Sequence, residues 1–131
     1  MQLVRELGGR VEESRALVAP EALTVYGPGE FTVHLPLVTS ERRDRFTVAH
    51  ELGHYFLHYL YPRLEGARSF GRGGRDRAET EANVFASSLL MPEVKFREAV
   101  ARHGRDWWTV ADVFGVSPSA ASVRAQVLGI D

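Results

Sequence analysis

The stretch Phe46-Thr47-Val48-Ala49-His50-Glu51-Leu52-Gly53-His54 decides how the rest of this chain is interpreted. It contains the pattern His-Glu-x-x-His, in which the two histidines are four residues apart. On an α-helix with 3.6 residues per turn, this spacing places His50 and His54 one above the other on the same face. Both imidazoles can then reach one metal ion, and the adjacent Glu51 can hold a water molecule bound to that metal.

The flanking residues predict that this motif lies on a buried helix from about residue 40 to about residue 60. Ser40 is a suitable N-cap, and acidic residues follow in the first turn. At 100° per residue, apolar side chains cover most of the helix, and one sector collects the polar side chains Arg43, Thr47, His50, Glu51, His54 and His58. Because a helix that is apolar nearly all round is buried, its His and Glu side chains must be paired or bound to something. We therefore predict that the polar sector lines a cleft and holds a metal, and that Gly53 allows a neighbour to pack closely.

The other segments predict an α+β fold in a single domain spanning residues 1–131. Strands are expected mainly within residues 10–38, including an antiparallel hairpin of residues 23–26 and 30–35 around Gly27-Pro28-Gly29. The hairpin should pack on the helix at about 40–60. Residues 61–77, rich in Gly and Arg, predict a solvated loop or, less favoured, a mobile rim over the cleft. Helices within residues 78–128 should form a C-terminal bundle.

Composition restricts the kind of metal site. The 131 residues include no cysteine, which excludes disulfides and thiolate ligands, so His and carboxylate side chains must supply the donors. The net charge of −1 gives no general attraction to nucleic acid or to anionic membranes. No apolar run is long enough to span a membrane, and the N-terminus lacks a signal-peptide core. We expect a cytoplasmic protein.

Two histidines leave a zinc site short of one protein ligand. The candidates for the third ligand are His34, His58, His103, Glu79 and Glu81. His58 lies about 12 Å along the helix axis from His50, which is too far to share the metal, and it should line the cleft or pack. We expect His34 to be a half-exposed strand residue.

Glu79 is the preferred third ligand. On the helix predicted at 77–91, Glu79 faces the core more than Glu81 does, whereas Glu81 suits a surface pair with Arg77. Asn83 lies one turn after Glu79 and can hydrogen-bond a ligand histidine. Glu81 remains the alternative.

Three segments resemble the ImmA/IrrE-type metallopeptidases: FTVAHELGHYFLH, ETEANVFASSLLMP and VADVFGVSPSAASVR. The resemblance covers about residues 24–128 and implies a small zincin-like domain with a gluzincin-type Zn²⁺ site. Carried over residue by residue, His50, His54 and Glu79 are the metal ligands, Glu51 is the general base, and Asn83 supports a ligand. The family's implied protein substrate is a helix-turn-helix repressor of a phage, a mobile element or a stress response.

The resemblance implies a zinc-dependent peptidase that hydrolyses a peptide bond. Its reaction needs a hydrogen-bond donor to the oxyanion, for which the candidates are Tyr55, His58, Tyr59 and Tyr61. An extended substrate could pair with the predicted hairpin.

Two other functions compete with this one. Residues 110–124 have the pattern of a helix-turn-helix, which would suit a DNA-binding regulatory module. Arg124 is the only basic residue in its second helix, however, whereas phosphate contacts need several, so direct nucleic-acid binding is not expected. The other alternative is a metal-binding protein without peptidase activity, against which the presence of Glu51 argues.

Overall fold

The structure, a computed structural model, describes residues 2–13, 22–71 and 76–130. These residues form four strands, six α-helices and one π-helical segment. In chain order the elements are α1 (Gln2–Glu6), β1 (Gly9–Glu13), β2 (Ala22–Gly27), β3 (Glu30–Leu35), α2 (Glu41–His54), the π-helical segment (Tyr55–Leu60), β4 (Arg68–Gly71), α3 (Arg77–Leu90), α4 (Glu93–His103), α5 (Trp107–Phe114) and α6 (Pro118–Val127). The predicted α+β class is confirmed.

The four strands form one mixed sheet with the order β1-β3-β2-β4. The predicted hairpin is its centre, since β2 and β3 pair antiparallel. Strand β1 lies parallel to β3, and β4 lies antiparallel to β2. Both hairpin strands therefore have partners on each side, so the prediction that the hairpin offers an edge to a substrate is wrong. Strands β1, β2 and β3 lie mainly within residues 10–38, as predicted, and residues 14–21 of that range lie outside the described residues.

Strand β4 lies within the segment that we predicted to be a loop, so that prediction is wrong for Arg68–Gly71. Most of its side chains are exposed, and only Phe70 is half-buried. A strand of this kind lacks the alternation of apolar and polar residues that signals a strand in a sequence. Its formation depends on the ladder to β2, in which Leu23 pairs with Phe70.

The sheet and α2 enclose the first of two apolar clusters, which includes Leu23, Phe31, Leu52, Tyr55 and Tyr59. The rings of Phe31 and Tyr55 stack with centroids 4.2 Å apart. The second cluster lies among the C-terminal helices and includes Met91, Phe96, Val110 and Val116.

Two arginines in the first turns of α2 connect the C-terminal helices to the metal-site helix. Arg45 donates from Nη1 to the carbonyl oxygen of Phe114 at 2.6 Å. Arg42 donates from Nη1 to the carbonyl oxygen of Val116 at 2.7 Å and pairs with Asp112. Each guanidinium thus satisfies carbonyl groups at the end of α5, where a helix has no further intrahelical donors.

The predicted helix start at Ser40 agrees with the observed cap, since the side chain of Ser40 accepts from the backbone N–H of Arg43. The side chain of Ser117 caps α6 in the same way by accepting from the backbone N–H of Ala120. The helix predicted at about 40–60 is continuous, but its hydrogen bonding changes at Tyr55 to the wider π pattern. None of the described helices combines the length and apolar character needed to cross a bilayer.

Candidate metal centre

The metal centre lies between α2 and α3, which pack closely because of Gly53. A Cβ atom at this position would lie 3.1 Å from the Cα of Ala82 and 3.1 Å from the Cβ of Phe85. Only a glycine lets the two helices approach to this distance without a shift of α3. The expectation that a neighbour packs closely on Gly53 is confirmed.

Glu79 on α3 faces both histidines of α2. Its Oε2 lies 2.8 Å from Nε2 of His50, and its Oε1 lies 3.2 Å from Nε2 of His54. These three residues form the one His/Asp/Glu group in the described part of the chain whose donor atoms, all within 4.8 Å of one another, could hold a metal ion. The helix cap helps to place the carboxylate, since Asp76 accepts a hydrogen bond from the backbone N–H of Glu79.

The other ring nitrogen of each histidine has a partner of its own. Nδ1 of His50 lies 2.7 Å from Oδ1 of Asn83, and Nδ1 of His54 lies 2.8 Å from Nδ1 of His58. An amide oxygen can only accept, so the proton of neutral His50 is on Nδ1. Its Nε2 lone pair is then directed at the space shared with Glu79, as in a metal ligand.

A cation fits this donor set. Nε2 of His50 is buried and makes no hydrogen bond, although it lies 2.8 Å from Glu79. Two ligand atoms that both point at one metal position would lie this close together without the geometry of a hydrogen bond. Oε2 of Glu51 is also buried without a hydrogen-bond partner. Buried polar atoms of this kind are unfavourable unless they interact with a bound ion or water.

In the metal-free site, the pKa shifts of Glu51 and His54 favour the neutral form of each side chain. Burial, followed by the nearby charge of Glu79, raises the pKa of Glu51 from 4.5 to about 8. Burial, followed by the charge of His50, lowers the pKa of His54. A histidine must be neutral to bind a metal, so the lowered pKa suits this role.

Glu81 forms one contact that was predicted and one, with His58, that was not. Glu81 pairs with Arg77 at 3.5 Å, as expected for a surface pair. Its Oε1 also lies 3.0 Å from Nε2 of His58, and this hydrogen bond holds the pKa of Glu81 below its ordinary value. The signal that could have found this contact is the recurrence of His at four-residue spacing in His50, His54 and His58.

Two of the candidate oxyanion donors have hydrogen-bond partners outside the metal centre, which argues against that role. The hydroxyl of Tyr55 accepts from the backbone N–H of Gly29, and that of Tyr59 donates to the carbonyl of Gly66. Both side chains are buried in the first apolar cluster. Tyr61 is 79% exposed on the surface.

The remaining histidines have ordinary structural positions. His34 is half-buried on β3, and its Nε2 lies 3.1 Å from Oγ1 of Thr24, in agreement with the expectation of a half-exposed strand residue. His103 is half-buried in the last turn of α4.

The helix-turn-helix pattern corresponds to α5, a turn at Gly115 and α6. Gly115 has φ 65°, the left-handed conformation typical of a glycine that ends a helix. Arg124 is only 6% exposed and donates from Nε to the carbonyl oxygen of Met91 at 3.1 Å. The basic residue of the second helix therefore holds the junction of α3 and α4 and is not available to a phosphate.

The fold and site together define a class: an α+β protein in which a His-Glu-x-x-His helix and a glutamate from the following helix bring together a donor set that fits a metal ion. The family model of Peptidase_M78, the IrrE N-terminal-like domain, matches residues 28–126. This chain belongs to that family, and the resemblance inferred from its motifs is confirmed.

A curated relative is similar over a shorter stretch. The chain is 36% identical over 59 residues to metallopeptidase ImmA of Bacillus subtilis (strain 168). The match covers 45% of this chain and 34% of that protein, so it spans about a third of the relative's length.

Proposed function

We propose that this chain is a zinc-dependent endopeptidase that hydrolyses a peptide bond in a protein substrate. The observation that carries the proposal is the convergence of both Nε2 atoms and the Glu79 carboxylate between α2 and α3. Two histidines and one glutamate are the protein ligands of a catalytic zinc site, which leaves a fourth position open for water or substrate. The His₂Glu set at positions 50, 54 and 79 supports zinc as the metal.

Zinc in such a site supplies two effects, activation of a bound water and polarisation of a carbonyl. Glu51 is the residue suited to move the proton: it accepts a proton from the attacking water and returns it to the leaving amine. Burial raises its pKa in the metal-free chain, whereas the positive charge of a bound cation would favour the carboxylate form that can accept this proton. Asn83 and His58 hold the two histidine rings so that their Nε2 atoms face the metal position.

The free edge of the sheet offers a place for an extended substrate. Strand β4 is the last strand of the sheet order, and no described strand pairs with its other edge. Phe70 of β4 stacks on the ring of His54 with centroids 5.5 Å apart, so this edge lies beside the metal centre. Backbone groups at a free strand edge can bind an extended peptide by adding it as a further strand.

We further propose that the protein substrate is a helix-turn-helix repressor of a phage, a mobile element or a stress response, met in the cytoplasm. This substrate class is the one that the resemblance to the ImmA/IrrE-type metallopeptidases implies, whereas the comparisons themselves support only the metallopeptidase family. The DNA-binding alternative has less support, since Arg124 of α6 is buried against Met91. The presence of Glu51 beside the two histidine ligands argues against the alternative of a metal-binding protein without peptidase activity.

The test is incubation of the zinc-loaded protein with a candidate helix-turn-helix repressor, followed by mass spectrometry of the products. The wild type should yield two fragments from one cleavage site. Glu51→Gln should retain zinc but reduce cleavage by about 10²–10⁴-fold, because the proton acceptor is lost. Cleavage at the wild-type rate by Glu51→Gln would show that Glu51 is not the general base. Zinc binding without cleavage by the wild type would favour the inactive alternative.

A further inference from the structure

A chain of hydrogen-bonding side chains extends behind His54. Nδ1 of His54 lies 2.8 Å from Nδ1 of His58, and Nε2 of His58 lies 3.0 Å from Oε1 of Glu81. Oε2 of Glu81 then lies 3.5 Å from Nε of Arg77. The chain runs from the buried metal position to the surface, since the side chains of His58, Glu81 and Arg77 are 17%, 43% and 91% exposed.

The carboxylate of Glu81 determines which ring nitrogens of His58 and His54 carry a proton. A carboxylate can only accept, so Nε2 of His58 carries the proton that Glu81 receives. Nδ1 of neutral His58 is then an acceptor, and the hydrogen between the two Nδ1 atoms belongs to His54. His54 then has the tautomer whose Nε2 lone pair faces Oε1 of Glu79 at 3.2 Å, which is the form that binds a metal.

His58 lies about one helical turn after His54, in the π-helical segment. At the end of this segment the backbone N–H of Tyr61 donates to the carbonyl oxygen of Phe56, five residues earlier. Side chains four residues apart on a helix are neighbours on its surface, so the two imidazole rings can meet. The segment begins at Tyr55, immediately after His54. On its other side, the ring of His54 stacks on Phe70, which limits its rotation.

We propose that His58 and Glu81 are positioning residues that fix the orientation and tautomer of His54 and so set the affinity of the metal site. The inference rests on the proposed metal-dependent function and adds residues that neither bind the metal nor touch the reacting atoms. The two histidine ligands are held by different means. His50 is held by the neutral amide of Asn83, whereas His54 is held through a second imidazole by a carboxylate.

The experiment is a measurement of zinc affinity by competition with a chromogenic chelator. His58→Phe keeps a ring of similar size but removes the acceptor, and it should weaken zinc binding by about 10–100-fold. Glu81→Ala should weaken it less, by about 3–10-fold, because the direct partner of His54 remains. His58→Asn should stay within about 3-fold of the wild type, since its amide oxygen can accept from His54 as Asn83 does from His50.

A double variant tests whether Glu81 acts on His54 through His58. In the His58→Asn background, Glu81→Ala should cause no further loss of affinity, because the shorter amide side chain no longer passes a hydrogen bond to Glu81. The matched control is Glu93→Ala, which removes an exposed carboxylate paired with an arginine four residues away but without a histidine partner. This control should leave zinc affinity unchanged.

A second readout separates positioning from folding. Denaturant unfolding of the metal-free variants reports their stability, and the visible spectrum of the Co²⁺-loaded protein reports ligand geometry. We expect His58→Phe to alter the Co²⁺ spectrum, whereas His58→Asn should restore it. Wild-type zinc affinity in both His58→Phe and Glu81→Ala would overturn the proposal, as would full additivity in the double variant. A wild-type chain that binds no metal would instead overturn the proposed function, and with it this inference.

Discussion

Oδ1 of Asn83 accepts a hydrogen bond from Nδ1 of His50 at 2.7 Å, and this contact joins the two helices that form the metal centre. It leaves Nε2 of His50 as the atom that faces Glu79. Because the partner of a ligand histidine fixes its tautomer and ring orientation, the interaction should contribute directly to metal affinity.

Replacement of Asn83 should therefore weaken the site without removing a ligand. We expect Asn83→Ala to lower zinc affinity by about 10–100-fold, as measured by chelator competition. Ser88→Ala, another exposed position on α3, is the control and should bind zinc as the wild type does. An unchanged affinity in Asn83→Ala would show that the hydrogen bond does not set the orientation of His50.

The two glutamates of α3 should differ sharply in their effect on metal content. Glu79→Ala removes a carboxylate that lies within 3.2 Å of both histidines, so the purified protein should contain almost no zinc. Glu81→Ala should still purify with near-stoichiometric zinc, because Glu81 reaches only His58 and Arg77. Elemental analysis of the zinc content of the two purified variants measures this difference. Loss of metal from Glu81→Ala together with its retention by Glu79→Ala would reverse the choice of ligand.

The stability of the metal-free protein should depend on the ionisation of Glu51. Its pKa is raised to about 8 in the folded chain from an ordinary value of 4.5. The protonated carboxyl is therefore favoured by folding, and its contribution is complete below pH 4.5 and lost as the pH rises towards 8. The loss amounts to several kcal/mol, since one pKa unit corresponds to about 1.4 kcal/mol.

Glu51→Gln tests this dependence, because glutamine stays neutral. In the presence of a chelator, the variant should be about as stable as the wild type at pH 5 and clearly more stable at pH 8. Urea unfolding at the two pH values measures the difference. Glu93→Gln, on the exposed surface of α4, should show no such pH-dependent gain. If the free energies of unfolding of Glu51→Gln and the wild type changed in parallel with pH, the proposed burial penalty at Glu51 would be wrong.

Gly53→Ala should disturb the contact between α2 and α3. Alanine improves helix propensity by about 1 kcal/mol. The added Cβ would, however, lie 3.1 Å from Ala82 and Phe85, so α3 must move, and we expect a net destabilisation of about 1–3 kcal/mol. Movement of α3 also moves Glu79, so zinc affinity should fall. Gly27→Ala is the control, since a Cβ there meets nothing within 4 Å. A stabilised Gly53→Ala with normal zinc affinity would contradict the argument.

The site could be predicted from the sequence to the extent that it depends on helical spacing. Position on a helix face is enough to bring His50 and His54 together and to turn Glu79 towards them. Strand β4 could not be predicted, because most of its side chains are exposed and its pairing with β2 is a long-range contact.

Other contacts depended only in part on local spacing. The four-residue spacing places His58 beside His54, but the link from His58 to Glu81 also requires a second helix at the right distance. The hydroxyls of Tyr55 and Tyr59 are occupied by backbone groups of Gly29 and Gly66, and only the folded chain shows which groups those are.

The arginine contacts at the start of α2 have a mechanical consequence. Arg42 and Arg45 attach the end of α5 to the helix that carries His50 and His54. Arg124 of α6 likewise attaches to Met91, immediately after the helix that carries Glu79. The C-terminal helices are thus tied through three guanidinium groups to both helices that carry the candidate metal ligands, so these bonds connect the two halves of the site to one common support.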